Sequence, residues 1–453
     1  MHQIKRTILM VVALIGSLIL PIAALAVDDL DKSLAVAMAN HDSRISPRIG
    51  AIGIKKTAAR ARIYEKYEYI GTYEVDRLQR ILTSELSVFT DKFSDLIYYP
   101  KPRYRVNLYR VTYRSIIPEQ DNRPTTASGL VAIPETTATT LPVVSYQHGT
   151  VFGKDSVPSN PDDPNYMETR LMVARFASQG YMVVAADYFG KGLSVEVDNY
   201  VVKASAQQAC LDMLFAAYGV SAKLGIRMGH LYLSGWSQGA WNTLAFLNTL
   251  QAMNIPVMAA AVAATPSDPL AMVSRWLHVT ADNDPHYVPS PDYLVPLVAM
   301  LIHSYEEYYG LPWLSQTAIK PAYQQAARDF YLYKISVIDA MNRLPKKINE
   351  LLQEDFIAES SLGDNDFYAM LRDNEVYRWR SKTPLHAYYG SADDVIAPYI
   401  ATLPVEYQKA VGGAAATAIK ADIGDAKANH RGAFVYGVED QGRWFEQLEA
   451  NTP

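Results

Sequence analysis

Strand-like and helix-like segments alternate along the middle of the chain, and this alternation constrains the fold more than any other feature of the sequence. Four apolar runs and three helical patterns alternate at residues 141–146, 167–178, 181–186, 200–223, 230–234, 238–253 and 257–262. Strands that are separated by helices need crossover connections, so they lie parallel in one sheet. The runs 181–186 and 257–262 are apolar throughout, which is typical of strands covered on both faces. The sequence therefore predicts an α/β fold with a mostly parallel sheet.

The flanking segments indicate one large domain with an insertion. Residues 106–114 and 126–134 alternate in polarity around a turn, which predicts an antiparallel pair at the start of the sheet. After residue 267 a helical, aromatic-rich pattern replaces the alternation, which resumes at 384–389 and ends with a strand at 416–423 and a helix around 435–448. We expect a signal peptide at 1–26, an N-terminal helical extension at 27–103, the first part of the core at 104–267, a helical cap at 268–382 and the second part of the core at 383–453.

The N-terminus has the three-part layout of a secretory signal peptide. Lys5 and Arg6 precede an apolar run at residues 8–20, and a small-residue pattern that ends at Ala26 follows. We expect cleavage after Ala26 and export to the periplasm or the medium. An uncleaved membrane anchor is the alternative, but the apolar run is shorter than the ~20 residues that span a bilayer comfortably.

Composition and missing motifs exclude several classes of function. The net charge of -5 argues against a nucleic-acid partner. The single cysteine, Cys210, excludes internal disulfides and a cysteine-based metal site, and its apolar helical surroundings predict a small buried core residue. The sequence contains no Gly-x-Gly-x-x-Gly fingerprint after a strand, no Walker motif and no His-Glu-x-x-His. We therefore predict neither a cofactor nor a metal.

One short motif carries the pattern Gly-x-Ser-x-Gly, from Gly235 to Gly239 with Ser237 at its centre. It directly follows the apolar run 231–233 and directly precedes a helical pattern at 240–247. A nucleophile elbow needs this setting, because the serine stands on a sharp turn whose neighbouring residues must lack a Cβ atom. We predict that Ser237 is a catalytic nucleophile. The alternative is an ordinary glycine-rich turn between a strand and a helix.

A serine nucleophile needs a base and an acid, which in a fold of this kind follow the serine in the order acid, histidine. Of the nine histidines, only His430 follows both a late strand and an acidic residue, and we place it in a polar loop before the last helix. The predicted acid is Asp393, just past the strand-like run 384–389, at the sheet edge where catalytic groups collect. Its neighbour Asp394 and the more distant Asp268 are rivals for this role.

The tetrahedral intermediate of acyl transfer needs N–H donors for its negatively charged oxygen. The backbone N–H of Gln238, immediately after the predicted nucleophile, is the first candidate. The second donor is expected in the loop at residues 147–151, where we choose Thr150. We predict a structural role for His148 in the same loop.

Together these residues resemble the α/β-hydrolase superfamily of secreted lipases and esterases, and within it the secretory lipase group typified by Candida antarctica lipase A. In that group a helical cap lies between the nucleophile elbow and the acid strand. The matching segments lie at residues 109–134, 145–150, 186–192, 235–239 and 390–393 and at His430. The resemblance covers residues 104–450 in outline, and it implies hydrolysis of carboxylic esters through an acyl-enzyme.

The residues themselves imply acyl transfer from a serine to water, which leaves both ester and amide substrates open. We expect a small-molecule ester or lipid substrate, with transient contact with a lipid surface among the expected interactions. An exported serine peptidase of the prolyl-oligopeptidase kind is the second hypothesis, and a non-catalytic hydrolase-like binding protein is the third. The apolar and aromatic run at 293–302 either roofs an acyl pocket or forms the core of the cap itself.

Overall fold

A nine-stranded mixed sheet forms the centre of the structure. The computed structural model describes residues 30–38, 64–164, 166–284, 287–360 and 365–452. In these residues the sheet has the strand order β1-β2-β3-β5-β4-β6-β7-β8-β9. Its strands are β1 (Tyr64–Tyr73), β2 (Val106–Ile117), β3 (Arg123–Pro134), β4 (Thr140–Gln147), β5 (Met182–Ala186), β6 (Arg227–Trp236), β7 (Ala259–Ala263), β8 (Leu385–Tyr389) and β9 (Ala416–Lys420).

The sheet is antiparallel at one end and parallel over the rest. Strands β1, β2 and β3 pair antiparallel in turn, and β3 also pairs antiparallel with β5. From β5 through β4, β6, β7 and β8 to β9, every pairing is parallel. The predicted antiparallel opening and parallel continuation are confirmed. The register places Gln147 opposite Gly235 and Trp236 opposite Ala263, so the loops after β4, β6 and β7 leave the sheet at one edge.

Helices cover both faces of this sheet. The helices of the described residues are α1 (residues 30–38), α2 (Val75–Arg80), α3 (Leu86–Phe89), α4 (Glu168–Arg175), α5 (Lys203–Lys223), α6 (Gln238–Ala252), α7 (Pro269–His278), α8 (Leu294–Tyr309), α9 (Leu314–Ala318), α10 (Pro321–Tyr331), α11 (Val337–Arg343), α12 (Ile348–Leu351), α13 (Glu354–Ser360), α14 (Asp366–Asp373), α15 (Pro398–Val411) and α16 (His430–Ala450). Leu231 and Leu233 share an apolar cluster with α5 and α6, whereas Tyr232 shares one with α4 and α16. Because successive side chains of a strand point to opposite faces, the two clusters lie on the two sides of the sheet.

The N-terminal segment joins the sheet, which corrects one prediction. The sequence predicts a helical extension at 27–103, but Tyr64–Tyr73 form the edge strand β1. The rings of Tyr67 and Tyr69 contact Tyr109 of β2, with centroids 6.3 Å and 5.8 Å apart. Such cross-strand aromatic pairs stabilise an extended chain, so the helical prediction is wrong for this strand. Helical structure follows it in α2, a π-helical turn and α3.

Between β7 and β8, where the sequence predicts a cap, the described residues form eight helices, α7 to α14. Most of the run 293–302 is buried in α8. Leu297, Val298 and Leu301 belong to the same apolar cluster as α5 and α6. This run therefore contributes to the apolar core beneath the cap.

Two further predictions concern the N-terminus and the single cysteine. The predicted signal peptide at 1–26 lies outside the described residues. Among the residues that are described, no helix is both long enough and apolar enough to cross a membrane. Cys210 is a free thiol buried in α5, and burial raises the pKa of this thiol. The prediction that Cys210 is a small core residue is confirmed.

Candidate active site

The predicted nucleophile stands on a strained turn between β6 and α6. Ser237 has a φ of 55° and a ψ of -123°, outside the regions that residues with a side chain usually occupy. Its backbone N–H donates to the carbonyl of Ala263 in β7 at 2.9 Å. The neighbouring strand therefore holds the turn at the carboxyl edge of the sheet.

The two glycines of the motif allow α6 to begin close to the sheet. A Cβ atom on Gly235 would overlap the carbonyl of Gly239 and the hydroxyl of Thr243. A Cβ atom on Gly239 would overlap the carbonyl oxygens of Gln147 and His148. Both positions are therefore sterically restricted to glycine. The second one also brings the start of α6 against the loop that follows β4.

A histidine connects this serine to a carboxylate. The Nε2 of His430 lies 2.9 Å from the Oγ of Ser237, and its Nδ1 lies 3.0 Å from both carboxylate oxygens of Asp393. In the tautomer that carries hydrogen on Nδ1, the ring donates to Asp393 and accepts from Ser237. The structure thus brings the three predicted residues into a continuous hydrogen-bonded chain.

The position of His430 differs from the prediction in one respect. The sequence predicts a loop at His430 and a helix only from about residue 435, but α16 begins at His430 itself. The side chain of Asn429 accepts a hydrogen bond from the N–H of Gly432 at 2.9 Å, and this cap starts the helix. The imidazole is consequently attached to the first turn of a rigid element.

Backbone donors fix the orientation of the acid. Asp393 is 3% exposed, and its Oδ1 accepts hydrogen bonds from the N–H groups of Val395 at 2.9 Å and Ile396 at 2.8 Å. These bonds hold the carboxylate toward His430. They satisfy part of the hydrogen-bonding capacity of this buried carboxylate.

The two rival acids occupy other positions. Asp268 is the N-cap of α7, where its side chain accepts from the N–H of Ala271 at 3.0 Å. Asp394 lies beside the triad, and burial raises the pKa of its carboxyl group. The carboxylate that bonds to His430 is that of Asp393.

The electrostatics of the site favour a protonated imidazole. Burial lowers the pKa of His430, but the charge of Asp393 and the hydrogen bond to it outweigh burial and raise the pKa above its usual value. The neighbouring carboxylate thus stabilises the charged form of this imidazole.

The aromatic side chains of Trp236 and Phe434 pack beside His430. The indole N–H of Trp236 donates to the carbonyl of His430 at 3.1 Å, and the two ring centroids are 5.3 Å apart. Trp236 in turn stacks on Phe434 of α16, with centroids 4.8 Å apart. Trp236, which precedes Ser237 in the motif, thus contacts His430.

The predicted oxyanion donors lie at the start of α6 and in the loop after β4. Gln238 is the first residue of α6, where backbone N–H groups have no partner within the helix. The hydroxyl of Thr150 lies 3.1 Å from the phenol oxygen of Tyr200. Because Gly239 packs against the end of β4, these two segments are close together.

His148 occupies a structural position in this loop, in line with the prediction. Its ring stacks on Tyr188, with centroids 4.1 Å apart. Its Nδ1 lies 2.7 Å from the carbonyl of Gly149, and its Nε2 lies 3.2 Å from the carbonyl of Asp187. Burial lowers the pKa of His148 to about 4, so the ring is neutral.

Sequence patterns do not single out three polar residues that contact the 147–151 loop. Glu168 accepts from the N–H of Gly149 at 2.7 Å, and Lys191 donates to the carbonyl of Val151 at 2.7 Å. Tyr200 contacts Thr150, as described above. Lys191 does lie in the segment 186–192 that carries the family resemblance. Glu168 looks in the sequence like an ordinary acidic residue in the first turn of a helix.

Solved structures share this architecture. A proposed hydrolase from Legionella pneumophila has a TM-score of 0.72 and 22% identity, over 86% of this chain and 99% of that one. The rice cell wall degrading esterase LipA from Xanthomonas oryzae has a TM-score of 0.71 and 20% identity, over 87% of this chain and 100% of that one. Candida antarctica lipase A has a TM-score of 0.59 and 16% identity, over 85% of this chain and 83% of that one. This chain has the α/β-hydrolase fold.

The α/β-hydrolase fold confirms the predicted fold class and the resemblance to lipases and esterases of the Candida antarctica lipase A kind. No protein-family profile matches the sequence, and no curated protein matches it either. The likeness to solved structures carries the fold alone, since one fold supports many chemistries. The function is therefore argued from the site.

Proposed function

We propose that this protein is an exported serine hydrolase that cleaves carboxylic esters through an acyl-enzyme on Ser237. The observation that carries the proposal is the 2.9 Å contact between the Oγ of Ser237 and the Nε2 of His430, in a chain that ends on Asp393. The strained backbone of Ser237 supports it, because such strain is typical of a nucleophile elbow.

Acylation follows from this geometry. The Oγ of Ser237 attacks the ester carbonyl carbon while the Nε2 of His430 takes the hydroxyl proton, and the carbonyl oxygen becomes an oxyanion. The tetrahedral intermediate collapses as the bond to the alcohol oxygen breaks, and His430 returns its proton to that oxygen. The products are a free alcohol and an acyl ester on Ser237. Asp393 stabilises the imidazolium between these two steps.

Deacylation repeats the same steps with water. His430 takes a proton from a water molecule, whose oxygen attacks the acyl carbon, and then returns the proton to the Oγ of Ser237 as the ester bond breaks. The carboxylic acid leaves and the free enzyme is regenerated. The N–H groups of Gln238 and Thr150 are the proposed donors to the oxyanion in both halves. Such preorganised donors each contribute about 10²- to 10³-fold to kcat.

The choice of esters is supported by two of the similar structures, which are named as an esterase and a lipase. A peptidase would use the same triad, so the triad geometry does not separate the two substrate classes. We propose a small-molecule ester or a lipid as the substrate, with transient contact with a lipid surface.

A fluorophosphonate probe tests the nucleophile. We expect the wild-type protein to be labelled and Ser237→Ala to remain unlabelled, because the probe reacts only with an activated serine. Ser234→Ala, a change at a buried serine of β6, the strand that precedes Ser237, is the matched control and should label as the wild type does. Equal labelling of the wild type and Ser237→Ala would remove Ser237 from the mechanism.

A substrate panel tests the ester class. The wild-type protein is assayed with p-nitrophenyl esters of graded acyl length beside aminoacyl and prolyl amides. We expect kcat/KM to be higher for the esters, and the length series then reports the acyl preference. Higher kcat/KM for the amides would favour a peptidase instead.

Export is a separate part of the proposal. It is supported by the charge, apolar run and small residues of positions 1–26. N-terminal sequencing of protein recovered outside the cytoplasm should begin at Val27. Recovery of the intact N-terminus in the membrane fraction would instead favour an uncleaved anchor.

A further inference from the structure

A buried carboxyl group lies behind the 147–151 loop. Glu168, the first residue of α4, is 5% exposed. Its Oε2 accepts hydrogen bonds from the N–H of Gly149 at 2.7 Å and from the phenol of Tyr146 at 2.8 Å. Burying a carboxylate is costly unless it is well hydrogen-bonded, and the steps proposed above give this one no role.

The peptide units on both sides of Gly149 are held in place. The phenol of Tyr188 donates to the carbonyl of His148 at 3.1 Å, and Glu168 accepts from the N–H of the same peptide unit. The next unit consists of the Gly149 carbonyl, which lies 2.7 Å from the Nδ1 of His148, and the N–H of Thr150. Because the C=O and N–H of a trans peptide point in opposite directions, these contacts orient the Thr150 N–H.

Glu168 also interacts with the base. Burial lowers the pKa of His430, but Asp393 raises it by more than burial lowers it. The carboxylate of Glu168 raises the same pKa further. Burial raises the pKa of Glu168 to about 7, although its two hydrogen bonds and the charges of His430 and Arg431 lower it. The other titratable groups that face the carboxyl are the phenols of Tyr146, Tyr166 and Tyr188. Glu168 thus changes charge near neutral pH.

We infer that Glu168 is a positioning residue whose carboxylate holds the 147–151 loop for the oxyanion and adds to the charge that stabilises the His430 imidazolium. The inference rests on the proposed function, because it places Glu168 in the same acyl transfer. A charged acceptor forms hydrogen bonds about twice as strong as a neutral one. Protonation of Glu168 therefore weakens the hold on Gly149 and removes a charge near His430 at the same time.

The rate then depends on two deprotonations. His430 must be neutral to accept the proton of Ser237, and Glu168 must be ionised to hold the loop. We expect the acidic limb of a plot of log kcat/KM against pH to have a slope above 1, since each required deprotonation contributes to the slope.

Glu168→Gln keeps the size and one carbonyl acceptor but removes the charge. We expect kcat above pH 8 to fall about tenfold, because the loop acts on the transition state, and KM to change less than about twofold. The slope of the acidic limb should fall to that of a single deprotonation. Its midpoint should move to lower pH, because one negative charge fewer lowers the pKa of His430. The second-order rate of fluorophosphonate labelling, measured over the same pH range, gives this readout without a substrate.

Two further variants separate charge from packing. Tyr146→Phe keeps the carboxylate but removes one donor, which raises the pKa of Glu168, so the acidic limb should move to higher pH. Glu446→Gln is the matched control, because it neutralises a partly exposed carboxylate of α16 that pairs with Arg175. It should leave kcat and the acidic limb unchanged.

The outcomes separate this inference from the proposed function. A folded Glu168→Gln protein with the wild-type slope, midpoint and kcat would overturn the inference and leave the serine hydrolase intact. If that variant does not fold, Tyr146→Phe decides, and an acidic limb that stays in place overturns the inference. Wild-type protein that neither hydrolyses esters nor is labelled at Ser237 would instead overturn the proposed function.

Discussion

The core of the sheet and the helical segment between β7 and β8, called the cap below, are held by different kinds of contact. In the core, backbone geometry places each member of the triad: a strained turn holds Ser237, a capped helix start holds His430, and two N–H groups hold Asp393. These constraints act within a few residues of each side chain. The core therefore positions chemistry by local backbone structure.

Side-chain hydroxyls of the cap add hydrogen bonds to its apolar contacts with the core. Its donors converge on the backbone of residues 197–201, with Ser304 and Tyr331 donating to the Asp198 carbonyl at 2.8 Å and 2.9 Å. Tyr308 donates to the Val197 carbonyl at 2.8 Å. The aromatic richness of the cap thus has a function beyond packing, because a tyrosine can bury its ring and still donate a hydrogen bond.

A buried ion pair of the core, between Lys191 and Asp198, is joined to the cap by Tyr333. The carboxylate of Asp198 accepts from the phenol of Tyr333 at 3.0 Å in the cap and lies 2.8 Å from the Nζ of Lys191 in the core. The same Nζ donates to the carbonyl of Val151, next to Thr150. Lys191 therefore contacts both the carboxylate that binds the cap and the loop proposed to hold the oxyanion. The core thus fixes Ser237, His430 and Asp393, while the cap is coupled to the 147–151 loop beside them.

The largest expected effect belongs to the core. His430→Ala should lower kcat on the order of 10⁶-fold, because the proposed triad acts as a unit and loses its base. His278→Ala, at a histidine of the cap that bonds to Ser360, is the control and should leave kcat within about twofold. Steady-state kinetics of both variants check the comparison. A similar loss in the two variants would contradict the assignment of chemistry to the core.

The next effect tests the ion pair between Lys191 and Asp198, whose carboxylate also accepts from Tyr333 of the cap. Lys191→Met should lower the free energy of unfolding by about 3–5 kcal/mol, because it leaves the carboxylate of Asp198 buried without its cation. Lys409→Met removes an exposed pair with Glu406 and should cost less than about 1 kcal/mol. Urea unfolding of the two variants measures the difference. Equal losses would show that the buried pair contributes no more to stability than an exposed one.

A smaller effect concerns the pH dependence of stability. Burial raises the pKa of Glu168 from 4.5 to about 7, so the folded protein binds the proton more tightly than the unfolded chain. This stabilising contribution is fully present below pH 4.5 and is lost as the pH rises through 7. The free energy of unfolding of the wild type, relative to Glu168→Gln, should therefore fall by about 2–3 kcal/mol between pH 4 and pH 8. Chemical unfolding at both pH values checks this, and a constant difference would contradict it.

The smallest effect belongs to a single attachment of the cap. Tyr331→Phe should lower the free energy of unfolding by about 1 kcal/mol, since Ser304 still donates to the Asp198 carbonyl. Tyr98→Phe, at a phenol that is largely exposed, is the control and should change nothing measurable. A loss of about 3 kcal/mol or more in Tyr331→Phe would indicate that the cap depends on that one hydroxyl.

Much of the core could be predicted from the sequence because its signals are local. The run of apolar strands and helices predicts the parallel sheet, and the glycines at 235 and 239 predict the elbow through sterics within five residues. The strand β1 was not predictable in the same way. Its tyrosines favour an extended chain only because Tyr109 of β2 lies beside them.

The candidate site is likewise only partly predictable from the sequence. Chain order predicts His430 and an acid in the pair after β8, but only the structure shows that Asp393 faces the imidazole. The sequence does not reveal the start of α16, because the Asn429 cap stands in a polar stretch that looks like a loop. It does not reveal Glu168 either, because folding and not spacing along the chain brings Gly149 to it.

The sequence alone predicts the sheet from β2 onward, the turn at Ser237 and the residue types of the proposed triad, since steric and periodic constraints act between near neighbours in the chain. The tertiary structure decided which carboxylate pairs with His430, how the cap is tied to residues 197–201 and where the charge of Glu168 acts. The physical reason is distance along the chain. Ser237 and His430 are 193 positions apart, and Tyr331 and Asp198 are 133 apart, so only the packed sheet and helices bring their polar atoms within hydrogen-bond reach.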